Sequence, residues 1–439
     1  MTNDRRQAGF KQRTRVAEAR STLLDATSPH GRSETVPLGD ADGRVLAEPI
    51  DAPVPVPGYD RAAMDGYAVR AEDTFGASNR SPAVLRATAR EGPVGPGEAA
   101  RVHTGSDLPA GADAVVMIEH VEEVGDEVET FDAVAAGENV GAAGEDVAEG
   151  QRLYGPGHVL RPSDLGLCKS VGIESVTVHE RPEVAVIPTG EELVQSDPEP
   201  GQVIETNGLT VSRLVERWGG VPRYRSIVTD DEQSLAAAFE RDLDADVVVT
   251  TGGSSVGERD LIPEVLDDLG EVLVHGVALK PGHPVCLGVI EDTPVVCLPG
   301  YPVACIVNAA QFLRPVLKRV AGTTTEPFPT RRARLDRKIP SEPGTRTFAR
   351  VRLTSDGDVV EGDAEGDAGG EDTDGDGVED DAEGDAAGKV AHIATPTRAS
   401  GSGVLSSVAL ATGWVVVPEP REGLDAGELV DVQLWEVTP

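Results

Sequence analysis

The stretch DVVVTTGGSSVGERD, residues 246–260, decides the fold of the central part of the chain. Its apolar, β-branched start predicts a buried strand, and the glycines and serines predict a turn into a helix. Gly252 and Gly253 let a ligand approach the backbone, Ser254 and Ser255 add hydroxyl donors, and the helix start offers unpaired N–H groups. The stretch therefore predicts a cradle for an anion, although it lacks the Gly-Lys-Ser/Thr ending of a Walker P-loop.

Asp260 closes this stretch in the first turn of the predicted helix. A carboxylate at that place repels a bound phosphate unless a cation lies between them. The spacing therefore predicts a bridging Mg²⁺.

Strands and helices alternate around this loop, which is typical of a parallel, doubly wound sheet that binds ligands beyond the carboxyl ends of its strands. The pattern predicts strands over 184–187, 224–228 and 247–250, and helices over about 206–218, 232–242 and 306–320.

The whole chain is predicted to be an α/β multidomain protein. We predict a segmented αβ domain (1–50 and 151–180), an inserted β domain (51–150), the doubly wound α/β domain (181–325) and a terminal β domain (326–439). A helical pattern over 16–24 packs within the first domain or on the third. Further strands are predicted over 114–118, 127–131, 404–410 and 413–417.

Charge separates this chain from nucleic-acid and membrane-surface proteins. It has 39 basic and 76 acidic residues and a net charge of -37. Such a surface repels nucleic acid and anionic lipid, and it suits a salty cytoplasm that screens the repulsion. We interpret the composition as haloarchaeal in style.

The four cysteines, Cys168, Cys286, Cys297 and Cys305, show no Cys-x-x-Cys spacing. They are predicted to be buried, reduced thiols of a cytosolic protein. No apolar run reaches the roughly 18 residues of a membrane span. We therefore expect a soluble, cytoplasmic protein.

Residues 356–388 interrupt the terminal domain with acidic and small residues, so we expect disorder there. The segment from Asp372 to Glu383 matches an EF-hand loop at five positions, but it has Glu379 where that loop needs an apolar residue. We favour disorder over a Ca²⁺ site, which stays open as an alternative.

Further motifs place polar side chains beside turns, and each alone is more often structural than functional. They are MDGYA with Asp65, the turn after Thr104, TGEEL with Glu192, KPGHP with Lys280 and His283, and LPGYP with Pro299 and Pro302.

Together and in this order, these motifs resemble the molybdopterin molybdenumtransferase family, known as MoeA in bacteria and as the E domain of gephyrin. The resemblance runs from about Val16 to Trp435, without the acidic insert. It implies a MogA-like α/β domain, a segmented αβ domain, an inserted β domain and a C-terminal β-barrel. It also implies a homodimer, with a cleft between the MogA-like domain of one subunit and the β domain of the other.

The implied reaction inserts molybdate into adenylated molybdopterin with Mg²⁺ and releases molybdenum cofactor and AMP. The resemblance assigns catalytic roles to Asp260, Asp65, Glu192, Asp231 and Lys280, the first three as metal ligands. Asp230 is the alternative to Asp231, because one of the two caps a helix. Substrate binding is assigned to these residues: Thr104, Gly252, Gly253, Ser254, Ser255, Lys280, His283, Pro299, Pro302, Arg350 and Ser402.

Two positions depart from the family pattern near the expected oxyanion. His283 stands where many members have lysine, and Ala304 where they have serine. Tungstate insertion therefore stays open, as does adenylyl transfer or nucleotide hydrolysis of the MogA and CinA type. A scaffold without activity is disfavoured, because Asp260 and Lys280 are retained. Expected transient partners are a MogA/MoaB-type adenylyltransferase and molybdoenzymes.

Overall fold

The computed structural model describes residues 13–89, 92–252, 261–355, 392–397 and 403–436. The chain forms two compact units, a larger one from Met1–Arg32 and Glu180–Pro439 and a smaller one from Ser33–His179. The four predicted domain boundaries stay predictions. The acidic insert and its EF-hand-like loop lie outside the described residues.

A six-stranded sheet organises the α/β part of the larger unit. Its first four strands are parallel, and the last two run antiparallel to their neighbours. This arrangement confirms the predicted doubly wound fold. In spatial order the strands are Val221–Tyr224, Glu183–Ile187, Val247–Thr251, Thr293–Leu298, Cys286–Ile290 and Glu271–His275.

The central strands of this sheet are buried on both faces. Val184 and Val186 belong to the apolar cluster on one face, and Ala185 and Ile187 to the cluster on the other. Successive side chains of a strand point to opposite faces, so a continuous apolar run fits a sheet covered on both sides. The helices of this unit are Val16–Asp25, Asn207–Arg217, Glu232–Arg241, Ile262–Leu269, Pro302–Asn308, Arg314–Val320 and Ser406–Ala409.

A π-helical turn, Ala309–Leu313, joins Pro302–Asn308 to Arg314–Val320. Pro315 has no N–H and its ring crowds the carbonyl one turn earlier, and a wider turn relieves both problems. The sequence predicts a helix over 306–320, but it begins at Pro302, because proline is favoured in the first helical turn.

Two predicted strands are wrong. The strand expected over 224–228 lies at Val221–Tyr224 instead. It is an edge strand of the sheet and has one neighbouring strand, so Pro222, which lacks an N–H, is tolerated there. The strand expected over 404–410 is the short helix Ser406–Ala409, whose Val408 packs into the core.

A closed five-stranded barrel follows the α/β part in the larger unit. The ring closes because Arg346–Ser355 pairs with both His392–Pro396 and Gly413–Val417. Leu279–Lys280 joins the ring from outside by pairing with Arg346 and Thr347. The remaining barrel strands are Thr330–Leu335 and Leu429–Gln433, and the short pairs of this unit are Ile339–Pro340 with Gly423–Leu424 and Leu193–Val194 with Val203–Ile204.

The smaller unit contains its own six-stranded sheet, which confirms the strands predicted near 114–118 and 127–131. Its order is Ala114–Met117, Gly66–Val69, Glu98–Val102, Ala83–Thr88, Glu127–Thr130 and Val121–Val124. The pair Arg61–Ala62 with Val140–Gly141 packs against this sheet, because Ala62 clusters with Ala68 and Val102. A second part has the helix Pro162–Ser170 and two strand pairs, Ser33–Pro37 with Ser175–His179 and Ile50–Asp51 with Arg152–Tyr154.

All four cysteines are buried thiols, as predicted. Among the described residues, no helix combines the length and apolar character needed to cross a membrane.

Candidate active site

The carboxyl edge of the central sheet brings two strand ends unusually close. A Cβ built at Gly252 would lie 2.1 Å from the carbonyl oxygen of Thr189, and Gly252 has a φ of 157°. No larger residue fits without moving the backbone, which explains this glycine. The predicted anion cradle starts here, but Gly253, Ser254, Ser255 and Asp260 lie outside the described residues.

Three buried hydroxyl groups mark the same edge. Thr189, Thr250 and Thr251 are each 1% exposed, and no Oγ1 of the three has a hydrogen-bond partner among the described residues. Buried polar groups without partners are rare in native proteins, because each carries its desolvation cost. The edge therefore has donors that the described fold leaves unused.

A group of acids lies after the strands Glu183–Ile187 and Val221–Tyr224. Burial raises the pKa of Asp230, and the charges of Glu192 and Glu191 raise it further. Oδ1 of Asp230 is buried without a hydrogen-bond partner among the described residues. The negative charges of these acids repel one another, and a cation between them would relieve the repulsion.

The neighbouring Asp231 has a different local role. Its Oδ1 accepts a hydrogen bond from Ser234 N at 2.9 Å, and its Oδ2 accepts one from Thr229 Oγ1 at 2.7 Å. The bonds from Ser234 and Thr229 lower the pKa of the Asp231 carboxyl. Asp231 is the N-cap of Glu232–Arg241. Of the two candidates, only Asp230 is placed with Glu192.

Lys280 lies where the α/β part meets the barrel. Its Nζ is 3.1 Å from Oε1 of Glu342, and both side chains are exposed. An exposed ion pair of this kind contributes little stability and opens readily to a competing anion. Glu342 is far from Lys280 in sequence, so the motif around Lys280 did not predict this ion pair.

Asn308 ties the KPGHP turn to the helix that follows LPGYP. Its Nδ2 donates to the carbonyl oxygens of Gly282, at 3.0 Å, and Ala304, at 2.8 Å. A Cβ at Gly282 would lie only 2.0 Å from the same Nδ2. The two motifs therefore form one packed structure, and the sequence analysis did not identify Asn308.

The LPGYP turn is held from another side by Asn207, whose Nδ2 donates to the carbonyl oxygen of Gly300 at 2.6 Å. This bond fixes the backbone between Pro299 and Pro302. Both prolines therefore shape the turn, and Asn207 is a second residue that the sequence analysis missed.

The two departures from the family pattern are not equally accessible. His283 is half-buried, and burial lowers its pKa, with a further contribution from the charge of Arg13. The ring is therefore mainly neutral at pH 7, since the ordinary histidine pKa is about 6.5. Ala304 is 2% exposed. A hydroxyl there would be buried.

Arg350 lies on the barrel strand Arg346–Ser355 and is 4% exposed. Burial lowers its pKa. A guanidinium nevertheless stays charged in a protein, so this side chain places a fixed cation inside the larger unit. Ser402, the other residue expected from the barrel, lies outside the described residues.

The smaller unit brings together Asp65 and Thr104. Oδ1 of Asp65 accepts hydrogen bonds from Thr104 N at 2.7 Å and from Thr104 Oγ1 at 3.0 Å. These bonds lower the pKa of Asp65, and His103 Nδ1 lies 3.9 Å away. The carboxylate is charged, exposed and fixed in direction, and its second oxygen is of the kind that binds Mg²⁺.

Three regions of the chain match family descriptions, two of them of MoeA regions and one of a molybdopterin-binding domain. Residues 14–172 match "MoeA N-terminal region (domain I and II)", residues 185–319 match "Probable molybdopterin binding domain", and residues 388–435 match "MoeA C-terminal region (domain IV)".

Full-length relatives agree with these matches. Over 430 residues, 95% of this chain and 96% of the relative, the sequence is 35% identical to a protein of Methanocaldococcus jannaschii named for molybdopterin biosynthesis. It is 31% identical over 420 residues to the molybdopterin molybdenumtransferase of Bacillus subtilis, covering 92% and 90%. The crystal structure of the molybdopterin biosynthesis MoeA protein from Pyrococcus horikosii superposes with a TM-score of 0.76 at 35% identity, covering 97% of this chain and 99% of that one. The order of the motifs, the barrel after the doubly wound sheet and these similarities agree, and the chain belongs to the MoeA family of molybdopterin molybdenumtransferases.

Proposed function

We propose that the protein inserts molybdate into adenylated molybdopterin in an Mg²⁺-dependent reaction that releases molybdenum cofactor and AMP. Relatives from Bacillus subtilis and Mycobacterium tuberculosis are named molybdopterin molybdenumtransferase, which supports the reaction class. The observation that carries the proposal in this chain is the repelling acid group of Asp230, Glu191 and Glu192 beside the unused hydroxyls of the sheet edge.

The donor set fits Mg²⁺. Carboxylate oxygens are the protein ligands that Mg²⁺ prefers, and it is usually held by one or two of them together with substrate phosphates. Among the described residues, no three His, Cys, Asp or Glu side chains form a metal-binding group. We therefore expect Asp230, Glu192 and Asp260 to supply some ligands, and the substrate phosphates the others. The ion would offset charge on the leaving phosphate.

Cationic side chains would bind the remaining anionic groups. Lys280 is exposed and pairs with the exposed Glu342, and Arg350 is a buried fixed charge. In a chain of net charge -37, such local cations are needed to attract molybdate and phosphates. Molybdate is a substrate here, and tungstate remains the alternative oxyanion.

The test measures AMP release from adenylated molybdopterin in high salt, with Mg²⁺ and with molybdate, tungstate or no oxyanion. Oxyanion-dependent release of AMP is the expected result, and the faster oxyanion identifies the substrate. AMP release that is equally fast without any oxyanion would instead indicate nucleotide hydrolysis and overturn the proposal.

Three aspartates give a matched set of variants. Asp260→Asn and Asp230→Asn should each lower oxyanion-dependent AMP release by about a hundredfold, because each removes a ligand charge. Asp231→Asn is the control, because asparagine caps a helix as well as aspartate does. If Asp231→Asn alone abolished the reaction, the acid of this site would be Asp231.

We also propose that the protein works as a homodimer in the cytoplasm, with a MogA/MoaB-type adenylyltransferase as a transient source of its substrate. Light scattering of the purified chain in high salt tests the first point. A mass of one chain at micromolar concentration would contradict it.

A further inference from the structure

A cavity of about 570 Å³ lies in the larger unit. It is bordered by the N-terminal helix Val16–Asp25, the helix Arg314–Val320, residues 323–328 and the barrel strand Arg346–Ser355. Its size is in the usual range of small-molecule pockets, roughly 300–1,000 Å³. None of its lining residues belongs to the predicted active site.

The charge of this cavity is opposite to that of the chain. Four arginines line it, namely Arg20, Arg314, Arg319 and Arg346, and among the lining side chains Glu326 is the one acid. Burial lowers the pKa of Arg20, and repulsion by Arg346 lowers it further. A protein with a net charge of -37 thus gathers guanidinium groups around one space.

Arg314 is the strongest indication of a ligand. It is 2% exposed, and its Nε has no hydrogen-bond partner among the described residues. Its guanidinium carbon lies 4.2 Å from the ring centre of Phe328. Arginine does not lose its proton in proteins, and the charge of Glu326 offsets only part of the burial that lowers the pKa of Arg314, so an anion that accepts from the buried Nε would stabilise this guanidinium.

Of the other arginines, Arg346 is only partly satisfied among the described residues, and Arg319 is exposed. Nη2 of Arg346 donates to Oε2 of Glu419 at 3.1 Å, but its Nε is buried without a partner among the described residues. Nε of Arg319 donates to the carbonyl oxygen of Thr27 at 3.3 Å. Donors from two chain segments therefore remain for an acceptor in the cavity, and arginine donors match carboxylate and phosphate oxygens.

The lining also includes apolar side chains, among them Leu24, Pro315, Phe328 and Phe348, beside neutral polar ones such as Gln311. A small inorganic anion would leave the apolar part of the lining in contact with water, whereas a ligand with an apolar group would cover it. We propose that the cavity binds a small organic anion, a carboxylate or phosphate monoester that carries an aromatic or aliphatic group. This site is separate from the proposed transferase site.

The test titrates the full-length protein with phenyl phosphate and with benzoate, at constant chloride concentration in high salt. Trp414 reports binding through its fluorescence, because its ring centre lies 6.2 Å from that of Phe328 and 5.6 Å from that of Phe348. We expect saturable binding of at least one anion, and the tighter one identifies the head group. Benzyl alcohol, which is neutral, and inorganic phosphate, which has no apolar part, should each bind at least tenfold more weakly.

Variants connect the signal to the cavity. Arg20→Gln should weaken binding tenfold or more and leave oxyanion-dependent AMP release unchanged, because Arg20 is half-buried on a surface helix outside the transferase site. Arg314→Gln should have a larger effect. Arg332→Gln, on the exposed side of the barrel strand Thr330–Leu335, is the control and should bind like the parent protein.

Equal affinity of Arg20→Gln and the control would overturn the proposal, and so would equal binding of benzyl alcohol and the anions. If Arg314→Gln does not fold, Arg20→Gln still decides the result. Because AMP release is measured separately, loss of the transferase activity and loss of this binding site are distinguishable.

Discussion

Replacing Gly282 with alanine tests whether the two proline turns are one structure. The new Cβ would lie 2.0 Å from Asn308 Nδ2, in a backbone whose φ is 111°. The backbone strain costs about 1–2 kcal/mol, and the crowding adds about 1–3 kcal/mol. Gly282→Ala should therefore destabilise the larger unit by about 2–5 kcal/mol.

Removing the Asn308 amide, with which the new Cβ collides, should recover part of the lost stability. Asn308→Ala loses two hydrogen bonds, each worth about 1 kcal/mol, but it also removes a buried Oδ1 that has no partner among the described residues. In the double variant most of the crowding is removed, because the next neighbour, the carbonyl oxygen of Ala304, is 3.2 Å away, a tight contact that a small shift relieves. The coupling should be about 1–3 kcal/mol in favour of the double variant.

Urea unfolding in high salt, followed by tryptophan fluorescence, measures this cycle. All three tryptophans lie in the larger unit, at Trp218, Trp414 and Trp435, so the signal reports on that unit. Gly344→Ala is the control, because Gly344 has a φ of 83° but no atom within 4 Å of its added Cβ. It should combine additively with Asn308→Ala. If the effects of Gly282→Ala and Asn308→Ala also added within about 0.5 kcal/mol, the reasoning would be refuted.

Three further predictions concern charge. Tyr154, His158 and Arg161 hydrogen-bond the buried Asp164, and the bond from Arg161 is the largest cause of the lowered pKa of Asp164. Asp164→Asn should therefore lower the free energy of unfolding by about 2 kcal/mol at pH 7. The difference between the parent and the variant should shrink as pH falls below the unfolded aspartate pKa of about 3.9. His283→Lys should tighten apparent molybdate affinity at pH 7. It should also flatten the pH dependence of that affinity, which in the parent protein lies below about pH 6.5. An unchanged pH profile would mean that His283 does not contact the oxyanion. Deleting residues 356–385 should change neither the melting temperature in high salt nor AMP release, and a melting temperature raised by micromolar Ca²⁺ in the intact chain alone would contradict the expected disorder.

The sequence predicted the elements whose pattern is continuous and local. The strand Val247–Thr251 and the helix Glu232–Arg241 agree with prediction within a residue, because an apolar β-branched run and a capped amphipathic helix are short-range signals. The helix Ser406–Ala409 was mistaken for a strand, because periodicity does not distinguish the two over a short apolar run.

The candidate site was predictable as a set of motifs but not as a set of contacts. Asp230 and Asp231 are adjacent in sequence, and only the capping bonds of Asp231 separate their roles. Asn308 and Glu342 were missed, because their partners Gly282 and Lys280 lie in other motifs. Such pairings depend on the tertiary fold, which no local pattern encodes.

The burial of all four cysteines makes each thiol a reporter of local opening. Cys168 lies in the smaller unit, and the other three lie in the larger one. A thiol reagent reacts with the thiolate, and burial raises the pKa of both Cys168 and Cys305, so the native protein should react slowly. The rate of labelling at Cys168, compared with that at Cys286, Cys297 and Cys305, would therefore reveal whether the two units open together or one before the other.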